Sequence, residues 1–314
     1  MPNYADLNPG DIMQIMQVYG IHSVDSYSIL SGGSENTNYA VTASAQKYVL
    51  TLCEQKSTQQ ARELVDLLDY LAAHNFETSQ VIHTSTNEPI SHWHQKPVIV
   101  KRFLAGNIMP VLPNTILTEV GRQMGKLHSL DAPNYLPSSL SYGRESFQQV
   151  QEYMPDSAFG KWLEGIHTYI AAYCLEDLPK SLIHSDIFYS NVIVSTDLKT
   201  ARIMDFEEAA QYYRVFDLGM AIIGLCENEK KIDLQKANLL LRGYQKKIQL
   251  SDMEKGALQA FTVYAAASMA FWRHKNFNYV NPDANMYGHY LHLQVLAAYI
   301  YHVPKDTFLK ILEI

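Results

Sequence analysis

Residues Leu182–Asn191 read LIHSDIFYSN. A histidine, an aspartate and an asparagine fall at fixed offsets, His184-x-Asp186-x-x-x-x-Asn191, between the apolar pair Leu182-Ile183 and the apolar run Val192-Ile193-Val194. Apolar flanks of this length read as short strands, which places the polar residues on a loop at strand ends. Nineteen positions after Asp186 a second acidic site follows, Ile203-Met204-Asp205-Phe206-Glu207, again after a strand and a turn. Two carboxylates and an amide oxygen on loops are hard oxygen ligands and supply a potential base. Such a set suits Mg²⁺ holding phosphate oxygens, because Mg²⁺ takes few protein ligands and keeps water or phosphate in its remaining positions. Phosphoryl transfer needs little more: charge on the phosphates, one carboxylate to orient the attacking hydroxyl, and closed geometry.

The rest of the chain is compatible with that chemistry. Its 314 residues can bury a large core and form two lobes. Hydrophobic residues make up 47% and charged ones 18%, a globular profile. The net charge is −7, without a long basic run, which argues against a nucleic-acid partner. Cys53, Cys174 and Cys226 are far apart and lack C-x-x-C spacing, so reduced thiols in a cytoplasmic protein are expected rather than a disulfide framework or a zinc site. The opening MPNYADLNPG lacks a signal-peptide pattern, and Phe261–Trp272 is too short to span a bilayer. A soluble protein with no membrane partner is expected.

Working outward toward the N-terminus, Asp11–Tyr19 reads as a short amphipathic helix, and Tyr27–Leu30 as a strand entering the glycine turn Ser31-Gly32-Gly33-Ser34. Asn38–Ala43 and Lys47–Cys53 alternate as the two strands of a hairpin. Ser57 with Gln60 forms a capping-box signature ahead of Ala61, Leu64, Val65, Leu68, Leu71 and Ala72 at helical spacing. Pro97–Phe103 is a further strand, ending at a hinge over Leu104-Ala105-Gly106-Asn107. From Asn114 onward helical stripes dominate: Ile116, Leu117, Val120, Met124 and Leu127, then Phe159, Trp162, Leu163, Ile166, Ile170 and Tyr173. Short strands around Leu182, Val192 and Ile203 read as one hairpin-like insert. Helices are expected over Val215–Cys226, Asp233–Lys247, Ser251–Arg273, Ala284–Tyr299 and Lys305–Leu312. The clusters at His83 and His92-Trp93-His94 read as surface turns without metal-ligand spacing. The expected class is α+β, a small β-rich N-lobe (1–103) followed by a larger, mainly helical C-lobe (104–314).

Taken together, HSDIFYSN and MDFEEA resemble the H-x-D-x-x-x-x-N and metal-binding aspartate motifs of the aminoglycoside phosphotransferase and choline kinase superfamily, relatives of protein kinases. The resemblance extends from Tyr27 to about Tyr290 and implies a bilobal, protein-kinase-like fold. It implies that Asp186 is the catalytic carboxylate, that Asn191 and Asp205 coordinate Mg²⁺, and that His184 braces the loop. Asp217, in VFDLGMA, matches an aspartate that hydrogen-bonds the catalytic-loop backbone; a helix cap also explains it, so it is read as structural support rather than chemistry. Glu207 is a substrate contact, a further metal contact or a solvated loop residue.

The stretch SGGSENTNYAVTASAQKYVLTLCE resembles the opening hairpin of the bacterial homoserine kinases of this superfamily, with G-x-E-N-T-N-Y followed by Y-V-L-T-L-x-E. The glycines allow close approach, and short polar side chains after them offer donors to phosphate. By this resemblance Gly33, Ser34, Asn36 and Thr37 cover the nucleotide, with Thr51 where protein kinases carry a lysine and Glu63 as the helix glutamate. The phosphate-holding cation is left open among Lys47, Lys56 and Lys101. Lys101 and Phe103 belong to the hinge strand facing adenine. His128 ends a helix resembling the superfamily's G-x-x-L-A-x-L-H, as a packed histidine.

These readings imply an ATP- and Mg²⁺-dependent kinase acting on the hydroxyl of a small metabolite. Homoserine is the first expectation and Arg273 the candidate cation for its carboxylate. Choline, ethanolamine, methylthioribose, hydroxylysine and aminoglycosides are the alternative acceptors. A protein kinase is disfavoured, since only eleven residues separate Asp205 from Asp217. A nucleotide-binding pseudokinase is the alternative of another class, supported by the missing strand lysine. A metal-dependent hydrolase explains the acids but not the N-lobe.

Overall fold

The alternation in NTNYAVTA and QKYVLTLC becomes a paired hairpin in the computed structural model, which describes residues 6–30 and 36–313. The chain divides into two compact units. Among the described residues, one comprises 6–30, 36–105 and Met204–Glu207; the other comprises Gly106–Ile203 and 208–313.

The N-terminal unit begins with α1 (Pro9–Val18), capped by Asn8 and Asp11 in a reciprocal capping box. Strands β1 (Ser26–Leu30), β2 (Asn36–Ala43) and β3 (Gln46–Cys53) are followed by α2 (Thr58–Ala73), β4 (Val81–Ile82), β5 (Ser91–Trp93) and β6 (Lys96–Arg102). The sheet is antiparallel, in the order β1-β2-β3-β6-β4, with β5 also pairing to β6. Between β2 and β3 the two turn residues Ser44 and Ala45 both take positive φ, 49° and 62°. Such turns match the right-handed twist of the strands they join. Ile12, Ile15 and Met16 of α1 bury against Tyr39, Val41, Leu50, Leu52, Val98 and Val100. Burying a side chain of this size is worth about 1.5–3 kcal/mol. The Ser57–Gln60 capping box at α2 makes both of its bonds, 3.2 Å to the Gln60 N–H and 2.9 Å to the Ser57 N–H.

The second unit contains α3 (Asn114–Leu127), α4 (Val150–Tyr153), α5 (Ala158–Ala171), β7 (Lys180–Ile183), β8 (Val192–Val194), β9 (Ala201–Ile203) and β10 (Ala210–Tyr213). Helices α6 (Arg214–Leu225), α7 (Leu234–Gln245), α8 (Asp252–Lys275), α9 (His289–His302) and α10 (Lys305–Phe308) follow. α3 and α7 touch backbone to backbone: a Cβ on Gly121 would lie 1.9 Å from the Leu240 carbonyl, and one on Gly243 1.9 Å from the Thr118 carbonyl. At the start of this unit Gly106 takes φ 144°, and its neighbour Asn107 bonds to Val194 in both directions, at 2.8 and 2.9 Å. A side chain at Gly106 would meet the Val194 carbonyl at 2.5 Å. Among the described residues no helix is long and apolar enough to cross a membrane.

Three local expectations are corrected. The strands around Leu182, Val192 and Ile203 are not one insert: β8 pairs with β9, whereas β7 pairs with β10. β7 finds its partner beyond the acidic stretch, a pairing that no local pattern encodes. His92 and Trp93 lie in β5 rather than in a surface turn; the turn is His94-Gln95, at φ 46° and 68°. The helix expected from Ala284 starts at His289, because the Asp283 side chain accepts from the Asn285 N–H at 2.9 Å and holds a turn instead. Before that turn α8 runs into a π-helical segment, Asn276–Val280.

Candidate active site

The loop from His184 to Asn191 runs out of the buried strand β7 and back into β8. His184 is fully buried, and its Nδ1 accepts the Asp186 N–H at 3.2 Å. The Phe188 N–H then reaches the Asp186 carbonyl at 3.1 Å, and the Asn191 N–H the Phe188 carbonyl at 2.9 Å, winding the loop into a tight turn. The Asn191 amide nitrogen donates to the Asp186 carbonyl at 2.8 Å and to Asp186 Oδ2 at 2.9 Å. With Nδ2 engaged twice, the Asn191 amide oxygen is the group left to act as a hard ligand. Behind the loop, α6 approaches so closely that a Cβ on Gly224 would lie 2.2 Å from the Ile187 carbonyl.

Asp217, in the first turn of α6, is fully buried and is more than a helix cap. Its Oδ1 accepts the Ser185 N–H at 2.6 Å; its Oδ2 accepts the His184 N–H at 3.0 Å and lies 2.9 Å from His128 Nε2. Burial acts to raise its pKa. The hydrogen bond and charge of His128, with the charge and backbone N–H of His184, outweigh burial and hold it below the usual aspartate range. His128 is packed at the end of α3, its Nδ1 3.0 Å from the Tyr244 hydroxyl, and so joins two helices to Asp217.

Asp186 is electrostatically different. Burial pushes its pKa up, against the opposing pull of His184, the Asn191 hydrogen bond and Arg273. Arg273, near the end of α8, is shifted down by burial, with Asp186 and Tyr189 acting the other way. Among the described residues the Arg273 guanidinium makes no hydrogen bond and no ion pair. Ser185, between His184 and Asp186, is buried at φ 69° and is engaged by Tyr142, a residue without any signal in the sequence.

In the N-terminal unit the polar groups are also tied together. Asn36 donates to Glu207 at 2.6 Å, and Lys56 pairs with the same carboxylate at 3.2 Å. The Thr37 hydroxyl donates to Glu54 at 2.7 Å, and Lys96 pairs with Glu54. The Thr51 hydroxyl is buried and committed to the Asn38 side chain at 2.7 Å. Glu63 accepts from Gln59 at 2.8 Å on the same helix. Lys101 sits on β6 between Val49 and Val81. The Phe103 N–H bonds to the Lys47 carbonyl at 3.0 Å, with the Lys47 ammonium over its ring. Asp205 lies in the 204–207 segment of this unit at φ 70°, and Phe206 beside it meets the Phe76 ring edge-on. Gly33 and Ser34 lie outside the described residues.

The sequence singled out neither Tyr142 nor Lys96, and it gave Glu54 only as the end of the Y-V-L-T-L-x-E motif, without a partner. Gly224 carried a usable signal, a glycine inside an otherwise apolar helix, since such a glycine marks a close approach. Among the described residues no group of three or more His, Cys, Asp or Glu side chains is arranged to hold a metal ion. The Asn191 amide oxygen, left over once Nδ2 is engaged, is a hard donor of the kind suited to a cation that keeps water and phosphate oxygens as its other ligands.

A homoserine kinase of Zymomonas mobilis is 27% identical over 306 residues, spanning 90% of this chain and 92% of its own. A homoserine kinase of Nitrobacter hamburgensis is 26% identical over 267 residues, 82% of this chain and 81% of its own. Among solved structures, a microcompartment-associated aminopropanol kinase superposes with TM-score 0.74 at 16% identity, over 97% of this chain and 100% of that one. An amicoumacin kinase in complex with AMP-PNP and Ca²⁺ gives TM-score 0.72 at 13% identity, over 90% and 91%. At such identities the structures establish the kinase-like fold. The phosphotransferase enzyme family model matches residues 26–246, from the first strand through α7, and this chain belongs to that family.

Proposed function

We propose that this protein transfers the terminal phosphoryl group of ATP, with Mg²⁺, to the side-chain hydroxyl of homoserine. The observation that carries the reading is Asp186. It is a carboxylate of raised pKa, fixed by the Asn191 amide and by a loop that Asp217 anchors from behind. On this reading Asp186 orients the acceptor hydroxyl and takes its proton as the new O–P bond forms; the bond from the γ-phosphorus to the β-phosphate bridging oxygen breaks, and ADP leaves. Asn191 and Asp205 would hold the cation, which when bound offsets negative charge on the phosphates. Arg273 is assigned to the homoserine carboxylate because it is a half-buried guanidinium that makes no hydrogen bond and no ion pair among the described residues. Asn36, Thr37, Lys101 and Phe103 are assigned to the nucleotide side. Lys56 is the phosphate cation, since Glu207 holds it beside the 204–207 segment that carries Asp205. The three free cysteines fit a reducing cytoplasm.

The test is ADP release with Mg·ATP across a panel of homoserine, choline, ethanolamine, methylthioribose, hydroxylysine and an aminoglycoside. Homoserine should give the highest kcat/KM. A higher value for another acceptor reassigns the substrate, and no turnover with any of them leaves a nucleotide-binding protein without transfer.

A further inference from the structure

Ser185 immediately precedes Asp186 and adopts φ 69° in a fully buried setting. In that region the Cβ of a non-glycine residue crowds its own backbone, so the conformation persists only where the surroundings impose it. Three groups surround Ser185. Asp217 accepts its N–H at 2.6 Å; the Glu208 carbonyl accepts its hydroxyl at 2.6 Å; the Tyr142 hydroxyl lies 2.7 Å from its Oγ and 3.1 Å from its carbonyl oxygen. A serine hydroxyl has one proton, and here it points at Glu208. Tyr142 is therefore the donor, its single proton shared in a bifurcated bond between the Ser185 hydroxyl oxygen at 2.7 Å and the Ser185 carbonyl at 3.1 Å. Tyr142 is itself buried, and burial together with the Glu208 and Asp186 carboxylates pushes its pKa well above the ordinary tyrosine value. It remains a donor at any working pH.

We infer that Tyr142 is a positioning residue for Asp186: its hydroxyl holds Ser185 in the left-handed conformation that directs the following carboxylate. The catalytic part of this inference rests on the kinase reading; the tether itself does not. The Asp217 and Glu208 contacts hold the N–H and the hydroxyl of Ser185, and only Tyr142, among the described residues, holds its carbonyl, the atom that leads into Asp186.

The test places Tyr142→Phe in three backgrounds: native Ser185, Ser185→Ala and Ser185→Gly. Alanine keeps the backbone strain and glycine removes it. Tyr142→Phe should lower kcat by about tenfold in the serine and alanine backgrounds, with acceptor KM changed by less than about twofold. In the glycine background the same change should cost less than about twofold in kcat. Amide exchange over Ile183–Ile187 should accelerate with Tyr142→Phe in the first two backgrounds and not in the third. An equal loss in all three backgrounds overturns the inference, as does a loss confined to KM, unaltered local exchange, or exchange accelerated across the whole chain. If the native protein phosphorylates none of the acceptors, the proposed function fails, and the exchange measurement still decides the tether.

Discussion

Asp217 and Ser185 meet across 32 positions of chain, the carboxylate accepting the serine N–H at 2.6 Å. The other Asp217 oxygen takes the His184 N–H and faces His128, so one buried side chain fixes two successive peptides of the loop and the end of α3.

Replacing Asp217 by asparagine removes the charge and turns one acceptor into a donor. Unfolding in urea should show a loss of about 2–4 kcal/mol at neutral pH. The folded pKa of Asp217 is lowered, so its contribution is fully present above the unfolded value near 4 and is lost as pH falls through the lower folded value. The stability gap between native protein and variant should therefore hold constant down to about pH 5 and shrink below about pH 4.

Asp186 has the opposite sign. Its folded pKa is raised, chiefly by burial, so the ionised form costs stability at neutral pH and that cost fades as acid protonates it. Asp186→Asn should cut kcat by about a thousandfold while nucleotide binding persists. Its thermal midpoint should exceed the native one by about 2 °C at pH 7.5, and the difference should narrow on acidification. An acid limb of kcat lying above the ordinary aspartate value is expected in the native enzyme. A midpoint for the variant below the native one at pH 7.5 would contradict the assignment of strain to this carboxylate.

Arg273→Met tests the carboxylate assignment through substrate shape. The homoserine KM should rise by about ten- to a hundredfold, the worth of a charge-assisted hydrogen bond. For 3-aminopropan-1-ol, the same skeleton without the carboxylate, native and variant KM should agree within about threefold. Parallel losses on both acceptors would remove Arg273 from carboxylate recognition.

Helix contacts supply a paired stability prediction. A Cβ at Gly243 would meet the Thr118 carbonyl at 1.9 Å, whereas one at Gly165 meets nothing within 4 Å. Gly243→Ala should destabilise by more than about 3 kcal/mol or prevent folding, because both partners are backbone. Gly165→Ala, inside α5, should stabilise by about 0.5–1 kcal/mol through helix propensity and a restricted unfolded chain. Calorimetry on the two variants reads both.

Whatever depends on neighbours in sequence was legible from the chain alone. The Ser57–Gln60 box starts α2, alternation marks β2 and β3, and the stripe through Ile116, Val120 and Leu127 marks α3. These features arise from strand and helix periods and from caps, which act over a few residues. The motif from His184 to Asn191 likewise announced phosphoryl-transfer chemistry from spacing. Other features depend on residues far apart in the chain: β7 choosing β10, His128 joining Asp217 and Tyr244, and Tyr142 reaching Ser185. The left-handed φ of Ser185 is invisible in the letters, since serine does not demand it and only the surrounding hydrogen bonds impose it. By itself the sequence determined the class of chemistry and singled out the candidate residues for it, because both follow from side-chain type and local spacing. Only the tertiary structure decided which other residues hold them, because burial and long-range hydrogen bonds exist only once the chain has closed on itself.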